Sequence, residues 1–374
     1  MLITADNVFD GTKLLTNVTV EIRDGKIAAL HQGQLKQATY YPGMLTAGFI
    51  DVHVNGGGGK LFNFEPTLDT VQTMLTAHAQ FGTTAILPTL ITDEVSVMQR
   101  AADTISNAIL QNCDGILGIH FEGPHLSVPK KGVHSENLVR PISAAEKAIF
   151  ERPDLGVKIV TLAPENVSDE DVVSLLAHQV KVSIGHSNAE YERAAAVVSL
   201  GADGFTHMFN AMSAFTSRAP GVCGAAMESD NAWCGIILDG HHMHYTSAKI
   251  AHAVKPTGKL LLVTDSMSTI GSDQQGFDFF GEKVIKDGNK LTTLDGTLAG
   301  SALDMVTAVK NAVEHVQIPL KEALNMASLY PAQYLGLDKQ MGSVEVGKQA
   351  NLTLLNSDYQ VSHTWIKGEL VYSR

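Results

Sequence analysis

Ile116-Leu117-Gly118-Ile119-His120-Phe121-Glu122-Gly123-Pro124-His125 is an apolar run that ends in a carboxylate and is broken at once by Gly-Pro. It reads as a buried strand carrying Glu122 at its tip, because Pro offers no N–H to a ladder and Gly-Pro favours a turn. The pattern recurs: Val182-Ser183-Ile184-Gly185 ends at His186, Gly204-Phe205-Thr206 at His207, and Leu260-Leu261-Leu262-Val263-Thr264 at Asp265. Acids and imidazoles at successive strand tips are the groups a metal-assisted hydrolase needs.

Working outward, eight strands are expected at 49–54, 83–87, 116–121, 159–163, 181–185, 204–207, 234–238 and 260–264, the sixth the weakest. Most are short apolar runs, the texture of a parallel sheet covered on both faces. Helical spacing separates many of them: Leu68, Val71, Leu75, Ala79, then Val95, Met98, Ala102, Ile105, Ile109. Ser168 three residues before Asp171 reads as an N-cap, and the last helix is expected over about 303–315. Eight strand–helix alternations point to an α/β fold, a (β/α)8 TIM-like barrel with its chemistry at the C-terminal strand ends. An open doubly wound sheet is the alternative, but the first strand lacks the phosphate-binding glycine fingerprint. Gly56-Gly57-Gly58-Gly59 has no Lys-Ser/Thr after it and is not a P-loop.

Both chain ends read differently. Val18-Thr19-Val20-Glu21-Ile22, Asp24-Gly25 and Lys26-Ile27-Ala28-Ala29-Leu30 make a hairpin signal, and 350–355 and 364–372 carry similar short strands. Neither end alone holds enough apolar surface for a core. Residues 1–45 and 336–374 are therefore expected to form one small β-sandwich domain beside a barrel at 46–335.

The chain has 374 residues, 44% hydrophobic and 18% charged, which suits a large buried core. A formal net charge of −12 argues against a nucleic-acid partner, yet leaves room for a small anion held by a local Arg. Cys113, Cys223 and Cys234 are odd in number without CxxC spacing, which points to a reducing compartment. With no basic-apolar leader and no run of membrane-spanning length, the expected setting is the cytoplasm, with no membrane partner.

Glu122, His186 and His207 supply three oxygen and nitrogen donors from the third, fifth and sixth strands. Three protein ligands plus an open position is the usual catalytic zinc arrangement. Asp265, ending the eighth strand, is the candidate general base toward the attacking water and then acid toward a leaving nitrogen. His53 ends the first strand, but the residue two on is Asn55, a poorer ligand than a second His. One metal is thus the primary expectation, with His53 and Asn55 lining the site or His53 serving a second metal. Arg218 sits on the long segment after the sixth strand, placed to clamp a phosphate or carboxylate. His134 is a candidate to polarise a carbonyl or touch a hydroxyl. In Asp239-Gly240-His241-His242-Met243-His244 one imidazole is expected to bond substrate.

Gly48-Phe49-Ile50-Asp51-Val52-His53-Val54-Asn55-Gly56, His120-Phe121-Glu122-Gly123-Pro124, Gly185-His186-Ser187-Asn188-Ala189 and Thr206-His207-Met208-Phe209-Asn210-Ala211-Met212 follow one another in order. Asp239-Gly240-His241-His242, Val263-Thr264-Asp265, Leu298-Ala299-Gly300-Ser301 and Gly347-Lys348-Gln349-Ala350-Asn351-Leu352 complete the series. Over essentially its whole length the chain resembles the N-acetylglucosamine-6-phosphate deacetylases of the amidohydrolase superfamily. That resemblance implies metal ligation by Glu122, His186 and His207 and acid/base work by Asp265. It implies substrate contacts from His134, Asn210, Ala211, Arg218, His242 and the Ala299-Gly300-Ser301 loop, with Arg218 and His242 toward the 6-phosphate. It also implies a homodimer and hydrolysis of N-acetylglucosamine 6-phosphate to glucosamine 6-phosphate and acetate. The expected cofactor is one divalent metal per subunit, Zn first, with Fe, Mn or Co suited to the same donors. The alternatives are another amidohydrolase acting on a cyclic amide or N-acyl amino acid, and a catalytically silent sugar-phosphate sensor.

Overall fold

The computed structural model describes all 374 residues, Met1–Arg374. Four strands come first: β1 Leu2–Phe9, β2 Leu14–Arg23, β3 Lys26–Gln32 and β4 Thr39–Ala47. The β2–β3 turn falls at Asp24 and Gly25, with φ of 51° and 72°, the two positive values a type I′ hairpin requires. The chain then enters the barrel with β5 Phe49–Val54, followed by a minimal hairpin of β6 Gly56–Gly57 and β7 Lys60–Leu61.

Strand and helix alternate from there: α1 Leu68–Ala79, β8 Thr83–Ile91, α2 Val95–Leu110, β9 Gly118–Glu122, α3 Ala144–Phe150, β10 Val157–Leu162, α4 Asp169–Ala177 and β11 Val180–Ile184. Next come α5 Tyr191–Leu200, β12 Gly204–Phe205, α6 Gly221–Glu228, β13 Trp233–Ile236, α7 Tyr245–Val254 and β14 Leu260–Leu262. All neighbouring pairs in the order β14-β13-β12-β11-β10-β9-β8-β5 are parallel. The first and last strands meet at their C-terminal ends, where Asp265 N donates to His53 O at 2.9 Å and Asn55 N to Ser266 O at 3.0 Å. Thr264 Oγ1 also donates to the buried Asp51 carboxylate at 2.5 Å. This closes the barrel on the side where the chemistry lies. All eight expected strands are present, and the weak sixth shortens to two ladder residues.

The helices cover the sheet with the faces their spacing selects. On α2, Met98, Ala102 and Ile105 are buried, and Ser168 Oγ accepts from Asp171 N at 3.1 Å as the α4 N-cap. Barrel and helices share one core of 76 buried residues. Each fully buried Val, Leu, Ile or Phe in it contributes about 1.5–3 kcal/mol.

After β14 the structure departs from the expected pattern. A three-stranded antiparallel meander, β15 Gly276–Phe279, β16 Glu282–Asp287 and β17 Lys290–Thr293, intervenes before the last barrel helix. That helix is α8 Met305–Asn311, shorter than 303–315 because the turn loosens to π geometry over Ala312–Val316. Two further helices, α9 Leu320–Ala327 and α10 Leu329–Leu335, pack near β14 and β5. The chain returns through β18 Leu352–Leu355, β19 Val361–Ile366 and β20 Glu369–Ser373. Strands from both ends join in one seven-stranded mixed sheet, β20-β19-β18-β4-β1-β2-β3, with its own 14-residue core around Leu45, Leu352 and Trp365. No helix is long and apolar enough to cross a membrane.

Candidate metal centre and active site

Glu122 is the last residue of β9. Gly123 ends the strand at φ 91°, and a Cβ there would sit 2.3 Å from Thr92 Oγ1, so only glycine fits. His186, His207 and Asp265 follow β11, β12 and β14 at φ of 48°, 34° and 51°. Side-chain-bearing residues seldom adopt this left-handed region, and three of them at one barrel mouth mark a functional cluster. The backbone reversal at each tip takes the residue out of its strand.

Glu122 Oε1 lies 3.0 Å from His186 Nε2 and 3.0 Å from His207 Nε2, and the two Nε2 atoms are 3.0 Å apart. All three residues are buried. Two imidazole nitrogens and a carboxylate oxygen converging on each other this closely fit a shared cation. The second nitrogen of His186 supports that reading: Nδ1 donates to Lys130 O at 2.8 Å, leaving the Nε2 lone pair free for a metal. A second group converges beside the first. His53 Nε2 is 3.2 Å from Glu122 Oε2 and 3.2 Å from Asp265 Oδ1. The donor sets suit a divalent cation.

Electrostatics follow from burial set against these carboxylates. Burial works against a charge on His53, but Glu122 and Asp265 outweigh it and push its pKa up to about 9. Burial alone would raise Glu122, yet His53, His186 and His207 hold it well below the usual carboxylate range. Burial drives His207 and, more strongly, His134 down. Asn55 Nδ2 donates to Asp265 Oδ1 at 2.5 Å, so Asn55, two residues beyond His53, pins the candidate acid/base.

These groups open onto a cavity of about 230 Å3. His134 lines it, its Nδ1 2.8 Å from Thr92 Oγ1 and its Nε2 3.7 Å from Glu122. Asn210, Ala211, His242 and Gly300 line it as well. Arg218 does not: it lies in the exposed 214–219 stretch, outside the cavity of its own chain. Ala299 and Ser301 are buried behind the wall, where Ser301 Oγ donates to Thr264 O at 2.5 Å and its N–H to Asp265 O at 2.8 Å. Of Ala299, Gly300 and Ser301, only Gly300 reaches the cavity.

Several lining or supporting residues had escaped the sequence reading. Phe279 of the meander and Thr297 line the cavity, and Thr92 orients His134. His120 lies buried beneath His53, Nε2 to Thr161 Oγ1 at 2.7 Å, and burial takes its pKa down to about 3. Its place in His120-Phe121-Glu122, two residues before a ligand on the same strand face, was the available signal. A larger cavity of about 610 Å3 opens at the other end, beside Lys158 and Lys181 near the starts of β10 and β11. It lacks a cluster of metal-ligating groups, and barrel chemistry belongs at the C-terminal strand ends.

The amidohydrolase family profile matches residues 44–371. An N-acetylgalactosamine-6-phosphate deacetylase from Shewanella sp. (strain ANA-3) is 48% identical, over 98% of this chain and 96% of its own. An N-acetylglucosamine-6-phosphate deacetylase from Haemophilus influenzae is 40% identical over 87% of this chain and 86% of its own. The crystal structure of N-acetylglucosamine-6-phosphate deacetylase from Pasteurella multocida superposes with a TM-score of 0.96 at 37% identity, covering 100% of this chain and 99% of that one.

Proposed function

This chain belongs to the amidohydrolase family, and we propose that it hydrolyses the acetamido bond of an N-acetylhexosamine 6-phosphate, yielding the hexosamine 6-phosphate and acetate. The observation that carries the reading is the convergence of Glu122 Oε1, His186 Nε2 and His207 Nε2, each 3.0 Å from the others, in the cavity that also holds Asp265. The names of the Shewanella, Haemophilus and Pasteurella relatives supply the substrate class.

Glu122, His186 and His207 would hold the divalent cation, Zn2+ by preference, which would supply Lewis acidity toward the water and the amide carbonyl. Asp265, steadied by Asn55 and His53, takes one proton from the attacking water as its oxygen bonds to the carbonyl carbon. It returns that proton to the amide nitrogen as the C–N bond breaks, so the leaving group departs as an amine. His134, tied through Nδ1 to Thr92, turns Nε2–H toward the carbonyl oxygen as negative charge develops. Asn210, Ala211 and Gly300 border the sugar, and His242 meets the phosphate. Arg218, exposed and off its own cavity, is read as reaching the phosphate bound by a second copy in a homodimer. A cytoplasmic setting accords with three unpaired cysteines.

N-acetylglucosamine 6-phosphate is the substrate the sequence motifs favour. Its C4 epimer is a second reading, favoured by the 48% identity to a galactosamine-type relative. Acetate release from the two sugar phosphates, measured side by side on zinc-loaded protein, tests the proposal. Turnover of either supports it, and the higher kcat/KM assigns the epimer. Acetate from neither overturns it in favour of another amide substrate or a silent sensor.

A further inference from the structure

The turn after β13 is organised by one buried carboxylate. Asp239, with its side chain 1% exposed, accepts the backbone N–H groups of His241 and His242 on Oδ1, each at 2.8 Å. Its Oδ2 accepts from His242 Nδ1 at 2.6 Å. Gly240 makes the reversal at φ 79°, and Asn289 at the β16–β17 turn holds the outer side through His241 Nε2 at 2.8 Å. With Nδ1 engaged, Nε2 is the remaining hydrogen-bonding atom of His242. It has no partner within the chain, and His242 lines the cavity. No Lys or Arg lines that cavity, and His134 is held neutral by burial. His242 is therefore the group on this wall best placed to offer an anion a positive charge.

We propose that Asp239 is a positioning residue for phosphate recognition: it orients the His242 ring and sets a carboxylate against Nδ1, so that Nε2–H meets the 6-phosphate of the substrate. This rests on the substrate reading given above. Burial opposes a charge on His242, but the Asp239 carboxylate and the more distant Asp265 at the β14 tip prevail over it and over His53 at the β5 tip, raising its pKa. The phosphate is largely dianionic above its second pKa of about 6. The raised pKa extends the charged form of His242 above the range of an ordinary histidine, about 6.5, toward the range in which the phosphate is a dianion.

Asp239→Asn separates the roles. The amide oxygen can still accept both backbone N–H groups, while the amide N–H2 facing Nδ1 favours a neutral ring. On zinc-loaded protein at about pH 6.5, KM for the N-acetylhexosamine 6-phosphate should rise about tenfold or more, the scale of one charge-assisted hydrogen bond. The kcat, and kcat/KM for the unphosphorylated sugar, should stay within about twofold. Unchanged KM, or an equal loss on both sugars, overturns the proposal. Calorimetric binding of glucose 6-phosphate keeps this distinct from the functional reading. If neither N-acetylhexosamine 6-phosphate is turned over, the functional reading fails alone, while weaker glucose 6-phosphate binding by the variant still supports Asp239. Equal binding, or none by wild type, refutes the role. Should the variant not fold, the imidazole NMR titration of wild-type His242, identified with His242→Gln, decides: a midpoint above about 6.5 supports the proposal and one at or below it overturns it.

Discussion

Asp265→Asn is the perturbation that separates chemistry from metal binding and folding. The Asp265 side chain is 13% exposed, and Oδ1 accepts from Asn55 at 2.5 Å and lies 3.2 Å from His53. An asparagine is nearly isosteric and can present its amide oxygen to the same donors, so the wall of the cavity should keep its shape. What it cannot do is accept the water proton or return it to nitrogen. General acid–base groups contribute about 10²–10⁴ in rate, and Asp265 serves both halves of this reaction, so the upper part of that range applies. A loss of about 10³–10⁴ in kcat, about 4–5.5 kcal/mol of barrier at about 1.4 kcal/mol per decade, is expected. KM should stay within a few-fold, and metal content should match wild type because Glu122, His186 and His207 are untouched. Steady-state acetate release together with elemental analysis reads both quantities. A variant keeping more than about a tenth of wild-type kcat with full metal would refute Asp265 as the proton carrier.

Three further outcomes follow from the same geometry. Chelation should abolish turnover and lower thermal stability, because a ligand at about 1,000 times its Kd stabilises the native state by about 4 kcal/mol; an unshifted Tm on metal removal would contradict a buried Glu122-His186-His207 site. Thr92→Val removes the partner of His134 Nδ1, 2.8 Å away in a buried setting. Losing that hydrogen bond should cost about 1–3 kcal/mol, seen as a fall in kcat at unchanged metal content, and wild-type kcat would remove His134 from the mechanism. The third concerns His78, whose pKa burial depresses to about 4. Its unfolded form takes up a proton near pH 6.5, so its contribution is present above about 6.5 and lost as pH falls toward 4, about 3 kcal/mol in all. Buried Asp51, raised to about 6, acts in the opposite sense: it penalises the native state as pH rises from about 4 to 6 and so offsets His78 in the wild type. The comparison with His78→Gln isolates the histidine. Denaturant unfolding at pH 4.5 and 7 should show the variant gaining relative stability at the lower pH, and an equal wild-type-to-variant difference at both pH values would count against it.

The barrel was legible because parallel strands covered on both faces must be almost wholly apolar. A polar residue at the end of such a run therefore stands out, and Glu122, His186, His207 and Asp265 were visible for that reason. The left-handed backbone of His186, His207 and Asp265 was not, since it is fixed by the loops that leave each strand. The meander was missed although Phe280-Gly281 and Asp287-Gly288 are turn signals: β16 buries only Val284, too little apolar alternation to mark a strand. With it went Phe279, which lines the cavity from far along the chain. The helix pair after α8 was not anticipated: both helices are short, and Pro319 and Pro331 stand at the α9 N-cap and in the first turn of α10, where a proline is tolerated. Arg218 shows the remaining limit. Its charge suggested a clamp, yet nothing local in the sequence specifies whether the loop turns toward its own cavity or away. Asn55 shows the converse, where absence of a second metal-binding His was visible but the bond that pins Asp265 was not.

Acetate release from an N-acetylhexosamine 6-phosphate and from the same sugar without its phosphate, on metal-replete protein, tests the central claim most directly. The account predicts release from both, with kcat/KM for the phosphorylated sugar higher by at least about tenfold, the worth of one charge-assisted contact. Equal rates would leave a deacetylase and remove the phosphate from its recognition; no acetate from either sugar would contradict the account.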